Sequence, residues 1–175
     1  NQISNALSSL NYKNEFIIIH IDEKWLKTNW SPIELSNFIL NIKKTSNKKI
    51  ILTQGIKDNI FNEYISKSYK FKKINIDNLN VCLSSLNEMN NVLIFKELDI
   101  QKLLSISSKS ALIITNHGSL THFASLYDIP VIDLVPNDKM SYIKKYYPKS
   151  SRYKQIKLDN SDLAINYVKD LIVND

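Results

Sequence analysis

The sequence predicts an α/β domain: a mainly parallel sheet of about six strands between layers of helices. Three observations lead there. Short apolar runs rich in β-branched residues recur through the 175-residue chain. Segments with apolar residues at helical spacing separate them, and strands alternating with helices at this spacing imply βαβ crossovers. Nothing in the composition points to another class. Cys82 is the single cysteine, which excludes an intrachain disulfide framework and suits a reducing cytoplasm. No apolar run approaches the roughly 20 residues of a membrane helix.

Phe16 to Ile21 reads as the first buried strand. Ser31-Pro32-Ile33-Glu34 is a helix start, with Ser31 as cap, Pro32 in the first turn and Glu34 completing a capping box. Ile33, Phe38, Ile39 and Ile42 give that helix an apolar side, and it fades at Lys43-Lys44. Lys49 to Thr53 is the next strand, stopped at Gln54-Gly55. Asp58 to Lys67 is a second helix, and Lys72 to Ile76 a weaker strand. An ambiguous segment follows. Asn91 to Phe95 is a strand, Asp99 to Ser107 a helix, Ala111 to Thr115 a strand, Leu120 to Tyr127 a helix and Pro130 to Val135 a strand. Ser161 to Val173 forms a closing helix, with Leu163, Val168 and Leu171 inward and Asp159 to Asp162 at its acidic start. The layout is Rossmann-like, with three layers. Ligands of such sheets bind beyond the carboxyl ends of the strands. That brings together three loops: 22–30, 54–58 and 116–121.

The net charge is +6, with Arg152 the only arginine. Arginine is the usual fork for phosphate and base recognition. The Lys-Lys pairs read as scattered, so solvated lysines are the plain reading and no nucleic-acid partner is expected. An anionic small ligand or an anionic lipid surface remains compatible. The first fifteen residues are polar and mixed, not a secretory signal. The chain does not begin with Met, so it reads as a single domain cut from a longer protein.

The chemistry concentrates at Asn116-His117-Gly118-Ser119 and His122. Gly118 permits a tight turn and close approach of a ligand to the backbone. A helix start behind it offers N–H groups and a partial positive charge, an anion site. Ser119 can cap that helix or reach a phosphate. His122, about one turn in, either donates to a second phosphate oxygen or serves as a core or capping histidine. His117 shapes the loop or touches the ligand's edge. The two histidines do not share a helix face, and no carboxylate or thiol motif joins them as metal ligands. A Ser119–His122 nucleophile pair has no visible orienting acid.

These residues carry a resemblance. "KELDIQKLLSISSKSALIITNHGSLTHFASLYDIPVIDLV" resembles the carboxy-terminal half of the heptosyltransferase-like glycosyltransferases of family 9. Leu98 to Ile106, Ala111 to Thr115, His122-Phe123-Ala124 and Ile129-Pro130-Val131 match the family's order of helix, strand, loop and Pro-led strand. "IIIHIDEKWLKTNWSPIELSNFI" resembles its strand, lysine-bearing donor loop and helix start. "ILTQG" followed by Asp58 resembles its segment facing the donor nucleoside. The chain departs from the family at Asn116 or His117, where aspartate is common, and at the Gly-Pro step.

The resemblance implies the donor-binding half of a GT-B enzyme, acting on a nucleotide-sugar and an envelope glycan such as lipopolysaccharide or capsule. It implies inversion at the sugar carbon, no metal and no cofactor. The acceptor site and general base are expected in an amino-terminal domain of the same enzyme, so this half alone is expected to be inactive. A cytoplasmic enzyme is implied, at the inner face of the membrane if it associates there peripherally. The donor-binding candidates are Lys24, Lys27, Gly55, Asp58, Asn116, His117, Gly118, Ser119 and His122. Lys24 and Lys27 are otherwise plain surface lysines, and Asp58 a helix cap. Trp25 and Trp30 read as packing or as base stacking. Two alternatives stand beside this reading: a non-catalytic sugar-nucleotide or phosphate-binding module, and half of a sugar-nucleotide epimerase.

Overall fold

Strand β1 (Phe16–Ile21) sits near the middle of an eight-stranded sheet. The computed structural model describes residues 2–12, 16–54, 60–76 and 78–173. The other strands are β2 (Lys49–Gln54), β3 (Phe71–Ile76), β4 (Leu79–Ser84), β5 (Val92–Lys96), β6 (Leu112–Asn116), β7 (Val131–Val135) and β8 (Tyr153–Lys157). Their order is β3-β4-β5-β2-β1-β6-β7-β8. From β5 to β8 every neighbouring pair is parallel. The five strong strands read from the sequence therefore end on one carboxyl edge.

The described helices are α1 (Gln2–Ser9), α2 (Pro32–Thr45), α3 (Ile60–Ser68), α4 (Ile100–Ser107), α5 (Ser119–Leu126), α6 (Met140–Ile143) and α7 (Ser161–Val173). Side chains alternate across the sheet. Ile17, Ile19 and Ile21 join α2, α3 and α7 on one face, whereas Phe16 and Ile18 join α1, α4 and α5 on the other. Both faces are covered, which is why the central strands are continuous apolar runs rather than alternating ones.

The sheet has eight strands rather than about six. β3 and β4 form an antiparallel hairpin beyond β5, with Asn78 at φ 63° in its turn. β8 pairs parallel to β7 at the far edge. The left-handed turn positions fall on Asn11, Asn78, Asn91 and Asp128, among others, and on no described glycine. Asn and Asp tolerate that region best after glycine, which is how a chain with two glycines makes its turns.

Two inward assignments are corrected. Ile33 and Leu163 are exposed. Leu35 and Ala164 take buried positions instead, while Phe38, Ile39, Ile42 and Val168 are buried and Leu171 packs on the core as expected, so each helix keeps its stripe and only its first-turn apolar residue faces solvent. The capping box of α2 is present: Ser31 Oγ accepts from the Glu34 N–H at 3.3 Å, and Glu34 Oε2 accepts from the Ser31 N–H at 2.6 Å. No helix among the described residues is long and apolar enough to cross a membrane.

Candidate functional site

The carboxyl ends of β1 and β2 gather a buried polar cluster. Their register sets His20 beside Thr53, and His20 Nδ1 and Thr53 Oγ1 are hydrogen-bonded at 2.9 Å. Burial holds the His20 imidazole below its ordinary range, opposed by the nearby Asp22 carboxylate and reinforced by Lys24. Asp22 lies 3.9 Å from His20 Nε2 and 3.2 Å from Lys24 Nζ. Its other oxygen accepts from the Lys24 N–H at 3.0 Å, capping the short helical turn Glu23–Lys27. Trp25 is fully buried, and its indole N–H donates to the His20 carbonyl at 3.0 Å. Trp30 packs 5.7 Å from Trp25 and 5.4 Å from Phe38 between ring centres. Both tryptophans pack, which anchors the loop after β1.

On the other side of β1, the neighbouring strand β6 ends in the next loop. Gly118 caps α5 with φ −178°, an extended conformation open to any residue. The tight-turn reason for glycine is therefore corrected. The close-approach reason is the physical one, and the approaching group belongs to the chain itself. A Cβ built on Gly118 would collide with Lys24 Nζ. Lys24 thus spans from the β1 loop to the β6 loop, steered by Asp22. No such contact involves Lys27, which is exposed on the same turn.

Ser119 is the first residue of α5 and not its cap. The capping bond comes from Thr121, whose Oγ1 accepts from the Gly118 N–H at 3.4 Å. Asn116 ends β6, and its buried Nδ2 has no hydrogen-bond partner among the described residues. A buried donor of this kind needs a water or a ligand.

His117 is held from behind. Its Nδ1 lies 2.6 Å from Oδ2 of the fully buried Asp133 on β7. A carboxylate only accepts, so Nδ1–H donates. Tyr153 on β8 donates to the same oxygen at 2.7 Å. Burial, then the Asp133 charge, push the Tyr153 phenol far above its ordinary range, so it stays a neutral donor. His122 is exposed, so the core reading is corrected. Its ring centre is 5.5 Å from that of His117 at an interplanar angle of 78°.

The structure brings Lys24, Asn116, His117, Gly118, Ser119 and His122 to one stretch of the carboxyl edge. Gly55 and Asp58 lie outside the described residues. Sequence reasoning passed over His20, Thr53, Asp133 and Tyr153 as members of this region, and gave no role to Asp22 or Thr121 within the loops it named. Asp133 carried the one usable signal, a charge inside the apolar run "PVIDLV". No group of three or more His, Cys, Asp or Glu able to hold a metal occurs among the described residues. A cleft of about 410 Å³ lies elsewhere, between α2 and α7, lined by Trp30, Glu34, Phe38 and Asp159 among others. The convergent polar groups at Gly118, not that cleft, mark the candidate site. Among the described residues the cleft lacks a partnered buried titratable cluster, whereas Ser119 and His122 beside Gly118 are exposed.

No protein-family profile matches the sequence, and no curated protein matches it in sequence. Solved structures match in fold. The ADP-heptose lipopolysaccharide heptosyltransferase II of E. coli is 14% identical with a TM-score of 0.68, over 99% of this chain and 51% of that one. The UDP-GlcNAc 2-epimerase of Methanocaldococcus jannaschii is 13% identical with a TM-score of 0.64, over 99% of this chain and 43% of that one. The solution structure of ALG13 is 12% identical with a TM-score of 0.54, over 90% of this chain and 86% of that one. The chain spans about half or less of the first two. The shared fold is a Rossmann-like α/β domain of the GT-B type.

Proposed function

We propose that this chain is the nucleotide-sugar-binding half of a glycosyltransferase of GT-B architecture, with the donor's diphosphate over Gly118 at the start of α5. One observation carries this reading. The Lys24 ammonium, a backbone bare of side chain and the positive end of an eight-residue helix converge on Gly118. Each favours an anion, and the first N–H groups of a helix have no partner within it.

In this reading Lys24, the N–H groups from Ser119 onward and His122 stabilise the charge that builds on the leaving diphosphate, a role that fixed positive groups can fill without a metal. Asp22 steers Lys24. His117, tied to Asp133, shapes the loop. The resemblance assigns Gly55 and Asp58 to the donor nucleoside. The resemblance adds inversion at the sugar carbon, an envelope glycan such as lipopolysaccharide or capsule as acceptor, and a base and acceptor site in a second domain. The open face of the site suits closure by that domain. The 175-residue chain alone then binds donor without transferring sugar.

The test is an NMR titration with a panel of nucleoside diphosphates. Two or three charge-assisted bonds contribute about 1.5–3 kcal/mol each, and association and ordering oppose them by several kcal/mol. The net is about −4 kcal/mol, a millimolar Kd. The amides of Gly118, Ser119 and His122 are expected to shift. If they stay still while another region responds, the donor site lies elsewhere.

A second reading, half of a sugar-nucleotide epimerase, draws on the likeness to UDP-GlcNAc 2-epimerases and on the buried His20–Asp22 pair beside the site. Incorporation of solvent deuterium at the sugar's C2 by the complete enzyme would favour it over transfer.

A further inference from the structure

Seven of the chain's 23 lysines and arginines, and none of its 17 acidic residues, fall between residues 139 and 158. The other 155 residues therefore carry sixteen cations against seventeen acids, so the net +6 comes wholly from this stretch. The charge is concentrated, not scattered as the Lys-Lys pairs made it look.

Part of it has a folding reason. Lys154 and Lys157 are exposed on β8, the sheet's edge strand, where lysines block unwanted pairing. Arg152 donates to the Asp128 carbonyl at 3.0 Å. No such role falls to Lys144, Lys145 and Lys149, all exposed, or to Tyr142, Tyr146 and Tyr147, which are 65%, 57% and 40% exposed. They stand on an ordered frame. Met140–Ile143 is helical, Ile143 is buried beneath it, and the N–H groups of Lys144, Lys145 and Tyr146 donate back to the Met140, Tyr142 and Ile143 carbonyls at 3.0, 3.2 and 2.8 Å.

We propose that residues 139–149 dock this domain on an anionic lipid bilayer surface. Lysines clustered near a membrane are drawn to its negative leaflet, and tyrosine has an apolar body and a polar tip suited to the headgroup boundary. The ring geometry favours lipid over nucleic acid. Tyr147 stacks on Tyr153 at 5.6 Å and 15°, and Tyr142 packs against Tyr146 at 5.3 Å. Stacked bases would need those ring faces, and one arginine supplies little of the fork-like recognition that nucleic acid favours. The segment leaves from the carboxyl end of β7, one strand from the Gly118 loop, so docking carries the candidate site to the bilayer. The inference stands apart from the nucleotide-sugar reading, and its assay contains no nucleotide.

The assay is co-sedimentation of the 175-residue chain with phosphatidylcholine vesicles, with and without phosphatidylglycerol, at low and high salt. Binding is expected only with the anionic lipid, and weaker in salt. Lys144→Glu/Lys145→Glu/Lys149→Glu is expected to lower partitioning at least about tenfold, whereas Lys44→Glu/Lys72→Glu/Lys73→Glu, away from this segment with the same charge change, leaves more of it. If the first variant misfolds by thermal melt, the three Lys→Gln changes replace it. Tyr142→Ser/Tyr146→Ser weakens binding while keeping the salt dependence. The inference is overturned if both triple variants bind alike, if neutral vesicles bind equally, if no vesicle binds, or if single-stranded RNA binds more tightly than anionic vesicles.

Discussion

Gly118→Ala separates the two reasons for glycine at the loop. Its φ of −178° is open to alanine, so the backbone resists nothing. The only collision within ordinary contact is with the end of Lys24, and a lysine amine moves easily. The variant is therefore expected to fold with a stability change below about 0.5 kcal/mol, since substitutions free of cavities, buried charge or strain stay within that range. That is about 1–2 °C in Tm for a chain of this size. Binding is another matter, because Lys24 can no longer lie over the loop. A charge-assisted bond is worth about 1.5–3 kcal/mol, and the lysine side chain is 38% exposed, so solvent reduces it to roughly 1–2 kcal/mol. The Kd for a nucleoside diphosphate rises about five- to thirtyfold. Lys24→Met should give the same loss, and the double variant no more than Lys24→Met alone, since both remove one interaction. Chemical-shift titration and thermal melts measure all three. A stability loss of several kcal/mol in Gly118→Ala, or fully additive losses of affinity, would refute the placement of Lys24.

Two further outcomes follow from the same geometry. His117→Ala strips the buried Asp133 of one of its two donors and is expected to cost roughly 2–3 kcal/mol, or about 5–10 °C in Tm, whereas exposed His122→Ala keeps its Tm and weakens diphosphate binding about tenfold; melts and titrations of both variants separate a structural from a ligand-facing histidine. His20 has its folded pKa depressed by burial, so between the ordinary value near 6.5 and that lower value the unfolded chain holds more protons. Stability is then full above about pH 6.5 and falls as pH drops through this window, by at most about 1.4 kcal/mol per pH unit. His20→Gln should flatten that slope in urea unfolding at pH 5 to 7, and an unchanged slope would mean that His20 is not the group responsible.

The parallel centre of the fold was legible because burial on both faces leaves unbroken apolar runs, as in "FIIIHI" and "ALIIT". The edges were not. β4 reads "LNVCLS", with Asn80 half-buried and Leu83 exposed, and β8 reads "YKQIK", whose lysines serve an edge strand but resemble a loop in sequence. α1 was missed because its apolar stripe is only Ile3, Ala6 and Leu7 in a polar stretch, and its helicity comes from docking on α4 and β4 rather than from propensity.

The site divides along the same line. Asn116, His117, Gly118 and Ser119 are adjacent in sequence, so local chemistry pointed to them. The groups that define their roles are not adjacent. Lys24 reaches Gly118 only because β1 and β6 are neighbours, and Asp133 and Tyr153 hold His117 only because β7 and β8 follow in order. That topology turns a pair of histidines five positions apart into two different residues. One is tied through Nδ1 to a buried carboxylate, and the other is open to solvent beside it. Sequence spacing treats them as a pair. The sheet order assigns one to the scaffold and leaves the other, with Lys24, to meet the ligand.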